Sequence, residues 1–181
     1  MKFIIFADDT NMFLSSRNLD YLVNTINKEL RNLVIWFQAN KLSLNVDKTN
    51  FMVFSSNCKK SNKCNIQIKI NDINIERVSY TKFLGVLLDE NLSWCEHIRS
   101  IENKISRNIG ILYKCNKILD SVHLLYLYNS LVLPYLNYCA VIWGNNKKCR
   151  LTTLTCLQKK AVRCIAKVGF KDHTSPKFSI V

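Results

Sequence analysis

The sequence predicts an α+β fold in two parts: residues 1–90 rich in short strands, residues 91–170 helical, and 171–181 a tail. Two patterns carry this reading. Up to residue 90 the apolar residues come in short runs, or alternate with polar ones, between clusters of turn residues. Beyond Asn91 they return at helical spacing, with basic residues on the other face. A third observation is the charge. Lys and Arg number 26 against 13 Asp and Glu, a net charge of +13. Residues 1–57 hold 6 basic and 5 acidic side chains, and residues 58–181 hold the other 20 and 8. The second stretch is therefore the candidate for binding a polyanion, nucleic acid first and an acidic membrane surface second.

Taken in order, Lys2–Phe6 and Met12–Ser15 read as a hairpin with Asp8 and Asp9 at its tip. Leu19, Leu22, Val23, Ile26, Leu30, Leu33 and Phe37 recur at helical spacing, so a helix is expected over 18–39 with Asn18 as its cap. Leu42–Val46 and Phe51–Phe54 look like strands around a turn at Asp47-Lys48-Thr49, and 55–64 is a polar loop. Ile66, Ile68 and Ile70, then Ile73 and Ile75, flank Asn71-Asp72 as a second hairpin. Phe83–Leu88 is one further strand, interrupted at Gly85. In the helical part, Trp94, Ile98, Ile101, Ile105, Ile109 and Leu112 share a face opposite Arg99, Lys104, Arg107, Lys114 and Lys117. Residues 122–133 form a more buried helix. Over 151–168 an apolar arc lies opposite Lys159, Lys160, Arg163 and Lys167.

Composition excludes several classes. At 48% hydrophobic and 22% charged, with 4 Gly and 2 Pro, the chain is no disordered tail or collagen-like repeat. Its eight cysteines form no CxxC pair and no His-completed zinc cluster, so reduced thiols in a nuclear or cytoplasmic setting are expected. The apolar run Phe3–Phe6 stops at Asp8 and Asp9, unlike a secretory signal. From Ser121 to Asn146 there is no charge, which imitates a membrane span. Asn129, Ser130, Asn137 and Pro134 are costly in hydrocarbon, so a buried helical pair bent at Pro134 is expected instead.

The chemistry-bearing feature is the adjacent pair Asp8 and Asp9. Two carboxylates forced together repel unless a proton or cation intervenes, and Mg²⁺ prefers carboxylates plus phosphate oxygens. Asp-Asp-Thr-Asn is also ordinary turn composition, so the pair alone does not decide. Its flanks and the downstream segments do. Phe6-Ala7-Asp8-Asp9 lies between apolar strands; Lys41-Leu42-Ser43-Leu44-Asn45 and Lys48-Thr49 come after a helix. Then come Phe83-Leu84-Gly85, Leu92-Ser93-Trp94 with His97-Ile98, Tyr138 with Trp143-Gly144, and Leu157-Gln158 with Arg163. This ordered set resembles the reverse transcriptases of non-LTR (LINE-type) retrotransposons, nearest to the jockey-like sort, over about residues 2–170.

The resemblance implies a partial polymerase palm over 1–90 and a helical thumb over 91–170. It implies an RNA-directed DNA polymerase fragment using Mg²⁺ or Mn²⁺, with RNA template and DNA primer, or an RNA–DNA hybrid, as partners and dNTP as substrate in the intact family. Asp8 and Asp9 would be metal ligands, and Lys48 would meet the triphosphate, against its plainer reading as a solvated turn residue. Phe83, Leu84 and Gly85 would position the primer; at Gly85 the missing Cβ either admits a sugar-phosphate backbone or marks a bulge. Lys104, Arg107, Lys160, Arg163 and Lys167 would track duplex phosphates, against a solvated basic face. In the family a third Asp comes from an upstream strand, and Asp20, Asp47, Asp72 and Asp89 do not match its context. The isolated chain is therefore expected to be inactive. The alternatives are a non-catalytic, basic nucleic-acid-binding remnant or an inert product of a degenerate element. Trp94, Trp143 and Tyr138 are expected mostly in the core.

Overall fold

The computed structural model describes residues 1–54, 66–145 and 148–169, which form two compact units, Met1–Ser79 and Tyr80–Val181. The polar loop expected at 55–64 and the tail at 171–181 lie outside the described residues.

The first unit opens with strands β1 (Lys2–Phe6) and β2 (Asp9–Phe13), paired antiparallel from Lys2↔Phe13 to Phe6↔Asp9. The second strand thus starts at Asp9 rather than at Met12. Backbone pairing runs through polar Thr10 and Asn11 because the ladder needs no apolar side chain, and only Ala7 and Asp8 are left to turn. Helix α1 (Leu19–Ala39) begins where the Asn18 carboxamide oxygen accepts from the Tyr21 N–H at 3.1 Å. It ends in a Schellman cap: Leu42 N–H bonds the Phe37 carbonyl at 2.8 Å, Lys41 N–H bonds that of Gln38 at 3.0 Å, and Lys41 adopts φ +57°.

That cap consumes the start of the strand expected at Leu42–Val46, which does not form; a single 3₁₀ turn, Val46–Lys48, stands in its place. The strand expected at Phe51–Phe54 shrinks to β3 (Asn50–Phe51), parallel to β6 (Glu76–Arg77), because no described strand pairs beyond Phe51. Between them, β4 (Lys69–Ile70) and β5 (Ile73–Asn74) make the second hairpin. Its turn residues Asn71 and Asp72 both take positive φ, +48° and +63°, as a two-residue primed turn requires. Asn27 of α1 closes on this edge: its oxygen accepts from Lys69 N–H at 3.0 Å and its amide donates to the Gln67 carbonyl at 3.2 Å. Leu30 and Val34 of α1 then bury against Ile68, Ile70 and Ile75.

The second unit begins with β7 (Tyr80–Phe83) and β8 (Val86–Asp89), a tight antiparallel hairpin. The single strand expected at Phe83–Leu88 therefore folds back on itself. Leu84 and Gly85 adopt φ +45° and +84°, which no continuous strand allows. Among the described residues five helices come after it: α2 (Cys95–Cys115), α3 (Ser121–Leu131), α4 (Leu133–Asn137), α5 (Ala140–Trp143) and α6 (Lys148–Ile165). The apolar face of α2 is the one the spacing predicts, and Ile98, Ile101, Ile105, Ile109 and Leu112 are all buried. They pack with Leu124 and Tyr128 of α3, Val132, Trp143, and Leu154, Leu157, Ala161, Cys164 and Ile165 of α6.

Two polar groups at this core are matched. The Tyr128 hydroxyl accepts from Gln158 at 3.2 Å, and the Asn108 side-chain amide donates to the Leu131 carbonyl at 2.5 Å. Pro134 sits in the first turn of α4, where its missing N–H costs nothing, and breaks the uncharged stretch into short helices. No helix among the described residues is long and apolar enough to cross a membrane.

Candidate nucleic-acid interface

The carboxylate pair stands at the tip of the first hairpin. Asp8 is the second residue of its two-residue turn, Asp9 is the first of β2 opposite Phe6, and both are exposed. The turn is strained at Ala7, whose φ of +54° costs an L-residue about 1 kcal/mol or more. Lys48 closes the 3₁₀ turn, its N–H bonded to the Asn45 oxygen at 3.2 Å, and is exposed as well. Thr49 donates its hydroxyl to the Asn45 carbonyl at 2.8 Å, so Asn45 holds this turn through both its side chain and its main chain. Among the described residues no group of three or more His, Cys, Asp or Glu converges as metal ligands do. Two adjacent carboxylates suit one Mg²⁺ that also takes phosphate oxygens. They are too few for a two-ion site.

In the second unit, the hairpin β7–β8 is anchored at both ends. At its tip the Tyr138 hydroxyl donates to the Leu84 carbonyl at 2.6 Å. A Cβ added to Gly85 would lie 3.3 Å from Cε1 of the same tyrosine, so the close approach at this glycine is made by the Tyr138 ring. Tyr138, expected in the core, is 53% exposed, because only its edge and hydroxyl meet the hairpin. At the other end Asp89 gathers the loop into α2. Its carboxylate accepts from Trp94 N–H at 2.8 Å, Ser93 N–H at 2.9 Å, Asn91 N–H at 3.1 Å and the Ser93 hydroxyl at 3.2 Å. Arg150 of α6 donates to the Ser93 carbonyl.

Beneath the hairpin lies His97, 5% exposed, whose Nδ1 accepts from Leu87 N–H at 3.3 Å. Its ring meets Trp143 edge-on at 5.7 Å, and its Nε2 is buried without a hydrogen-bond partner. Burial first, then the Lys104 charge, holds this imidazole below its ordinary range. Trp143 is core, as its context suggests, and Trp94 packs at the margin of the same cluster.

The five basic residues expected to track duplex phosphates all lie in this second unit. Lys104 and Arg107 are exposed on α2; the Lys104 ammonium stands 5.4 Å from the Tyr135 ring centroid, and Arg107 bonds the Asn103 carbonyl of its own helix. Lys160 is exposed on α6, and Arg163 is partly buried near Tyr113 of α2. Lys167 departs from the expected helical stripe. The helix stops at Ile165 in a second Schellman cap, with Val168 N–H on the Arg163 carbonyl, Lys167 N–H on that of Cys164, and Lys167 at φ +52°. Sequence reasoning missed Asp89, Arg150 and Tyr135. The one available signal was an Asp at the end of an apolar strand, Asp89, followed by the turn-forming Asn91 and Ser93.

Three curated polymerases of Drosophila melanogaster resemble the chain. It is 24% identical over 165 residues to the RNA-directed DNA polymerase from mobile element jockey, covering 89% of this chain. It is 23% identical over 164 residues to the probable RNA-directed DNA polymerase from transposon X-element, and 24% over 165 residues to that from transposon BS. The chain spans 18% of the length of each relative. No protein-family model and no solved structure matches. The chain is thus a distant sequence relative of the polymerases of jockey-like, non-LTR retrotransposons.

Proposed function

We propose that the chain is the template–primer-handling part of such an RNA-directed DNA polymerase, the end of a palm followed by a thumb. The observation that supports this most is the similarity along 88–89% of the chain to three polymerases, with the Asp8–Asp9 pair on a tight, exposed hairpin turn. Asp8 and Asp9 would hold Mg²⁺ or Mn²⁺, which when bound supplies positive charge against the phosphate oxygens of a dNTP. Lys48, exposed on its 3₁₀ turn, adds charge toward the triphosphate. In the second unit the Phe83-Leu84-Gly85 turn meets the primer, and Lys104, Arg107, Lys160, Arg163 and Lys167 meet backbone phosphates of an RNA–DNA hybrid.

Among the described residues two carboxylates leave a nucleotidyl-transfer site incomplete, and the behaviour expected of the 181-residue chain is nucleic-acid binding without primer extension. Both halves are testable with the whole chain. Fluorescence anisotropy on an RNA–DNA hybrid should show binding that weakens steeply with salt. Primer extension with Mg²⁺ or Mn²⁺ should stay at background. Salt-insensitive or absent binding overturns the reading; extension that Asp8→Asn abolishes overturns the claim of inactivity and makes the chain a polymerase in its own right.

A further inference from the structure

The uncharged stretch Ser121–Asn146 places tyrosines outside the core. Tyr128 is buried, yet Tyr135 and Tyr138, three residues apart on α4 and its C-terminal cap, are 36% and 53% exposed. Both are held by groups around them. Tyr138 is fixed by its 2.6 Å bond to the Leu84 carbonyl and by contact with Gly85. Tyr135 is flanked by the Lys104 ammonium at 5.4 Å, with Arg107 one turn further along α2. One exposed ring beside a cation, Tyr135, and a second fixed by the hairpin turn, Tyr138, make a surface suited to a strand of nucleic acid: rings stack on bases whatever their sequence, and cations meet the phosphates.

Resting on the function proposed above, we infer that Tyr135 and Tyr138, with Lys104, Arg107 and the Leu84–Gly85 turn, form a stacking platform for one nucleic-acid strand. Tyr135 contacts the strand, and Tyr138 also acts as a positioning residue that fixes the turn. Leu84 in the left-handed region and Gly85 beside it make a turn that would relax without the Tyr138 hydroxyl.

The test is anisotropy of the full chain on a fluorescein-labelled RNA–DNA hybrid with a single-stranded overhang, across a salt series. Tyr135→Ala should weaken binding about tenfold and leave the log–log salt slope unchanged, since stacking releases no counterions. Tyr138→Phe, which keeps the ring, should weaken it about fivefold at unchanged slope, the equivalent of one hydrogen bond. It should also speed amide exchange across Phe83–Leu87. The double variant Lys104→Gln, Arg107→Gln should instead lower the slope by about two. If that double variant weakens binding while both tyrosine variants stay within about twofold of the parent, the platform is refuted and the function stands. Faster exchange in Tyr138→Phe at unchanged affinity likewise refutes it, making the tyrosine a fold element only. If the parent chain does not bind the hybrid, the function itself falls first.

Discussion

Replacing Asp89 by Ala should unfasten the β7–β8 hairpin from α2. The loop between them contains two non-glycine residues in the left-handed region, Leu92 at φ +50° and Trp94 at φ +62°. Each such residue is strained by about 1 kcal/mol or more. Leu92 N–H bonds the Asp89 main-chain carbonyl at 2.9 Å, and one partly buried carboxylate holds the rest with two short bonds, to Trp94 N–H at 2.8 Å and Ser93 N–H at 2.9 Å. Bonds from N–H groups to an ionised acceptor are worth about 1.5–3 kcal/mol each, and the freed N–H groups regain part of that from water. The expected loss is therefore about 3 kcal/mol for Asp89→Ala, with the longer bonds to Asn91 and the Ser93 hydroxyl adding little. Asp89→Asn keeps one accepting oxygen and should lose about half as much. Urea unfolding followed by hydrogen exchange in α2 peptides measures both. A loss below about 1 kcal/mol for the alanine variant, or equal losses for the two, would show that the loop conformation does not depend on this carboxylate.

Leu112→Ala, at a position with no exposure, should cost about 3–4 kcal/mol, and a urea midpoint close to the parent's would displace Leu112 from the core centre. His97 links stability to pH. Its folded value lies below the ordinary 6.5, so as pH falls through that value the unfolded chain gains a proton that the folded chain refuses. Stability should drop over that interval and level off once the folded imidazole titrates. His97→Asn, which keeps an acceptor for Leu87 N–H, should flatten the drop, and an unchanged profile would refute the assignment. Ala7→Gly should relieve the positive φ and raise hairpin stability by about 1 kcal/mol, read from slower exchange of the Phe6 and Asp9 amides, the bonded pair beside the turn; faster exchange would contradict it.

Helices were the legible part of this sequence, because a buried face writes its period into the residues. α1 starts at the cap that Asn18 announces, and α2 buries the isoleucines its spacing selects. Strands were legible only where a turn signal flanked them, as at Asn71-Asp72. The β7–β8 turn was hidden because Leu84 takes the positive φ that sequence reasoning reserves for Gly or Asn. Lys41 and Lys167 hid two helix caps in the same way. At the candidate site, the acidic pair was legible as a turn. Tyr138 was not, since an uncharged run of aromatic residues reads as core until its surroundings are known.

The described strands form four separate sheets, each of two strands. No ladder shares a strand with another, so opening one breaks no hydrogen bond in the next. In the first unit, what joins elements into one cooperative body is the small cluster of Leu30, Val34, Ile68, Ile70 and Ile75, together with Asn27. The tip of the β1–β2 ribbon, where Phe6 to Thr10 are exposed, is therefore governed by its own local opening equilibrium, while Met12 further along β2 packs on that cluster. Amides at the tip report turn chemistry rather than the stability of the unit. Substitutions at Ala7, Asp8 and Asp9 can thus change the acidic tip while leaving the rest of the fold at its parental stability.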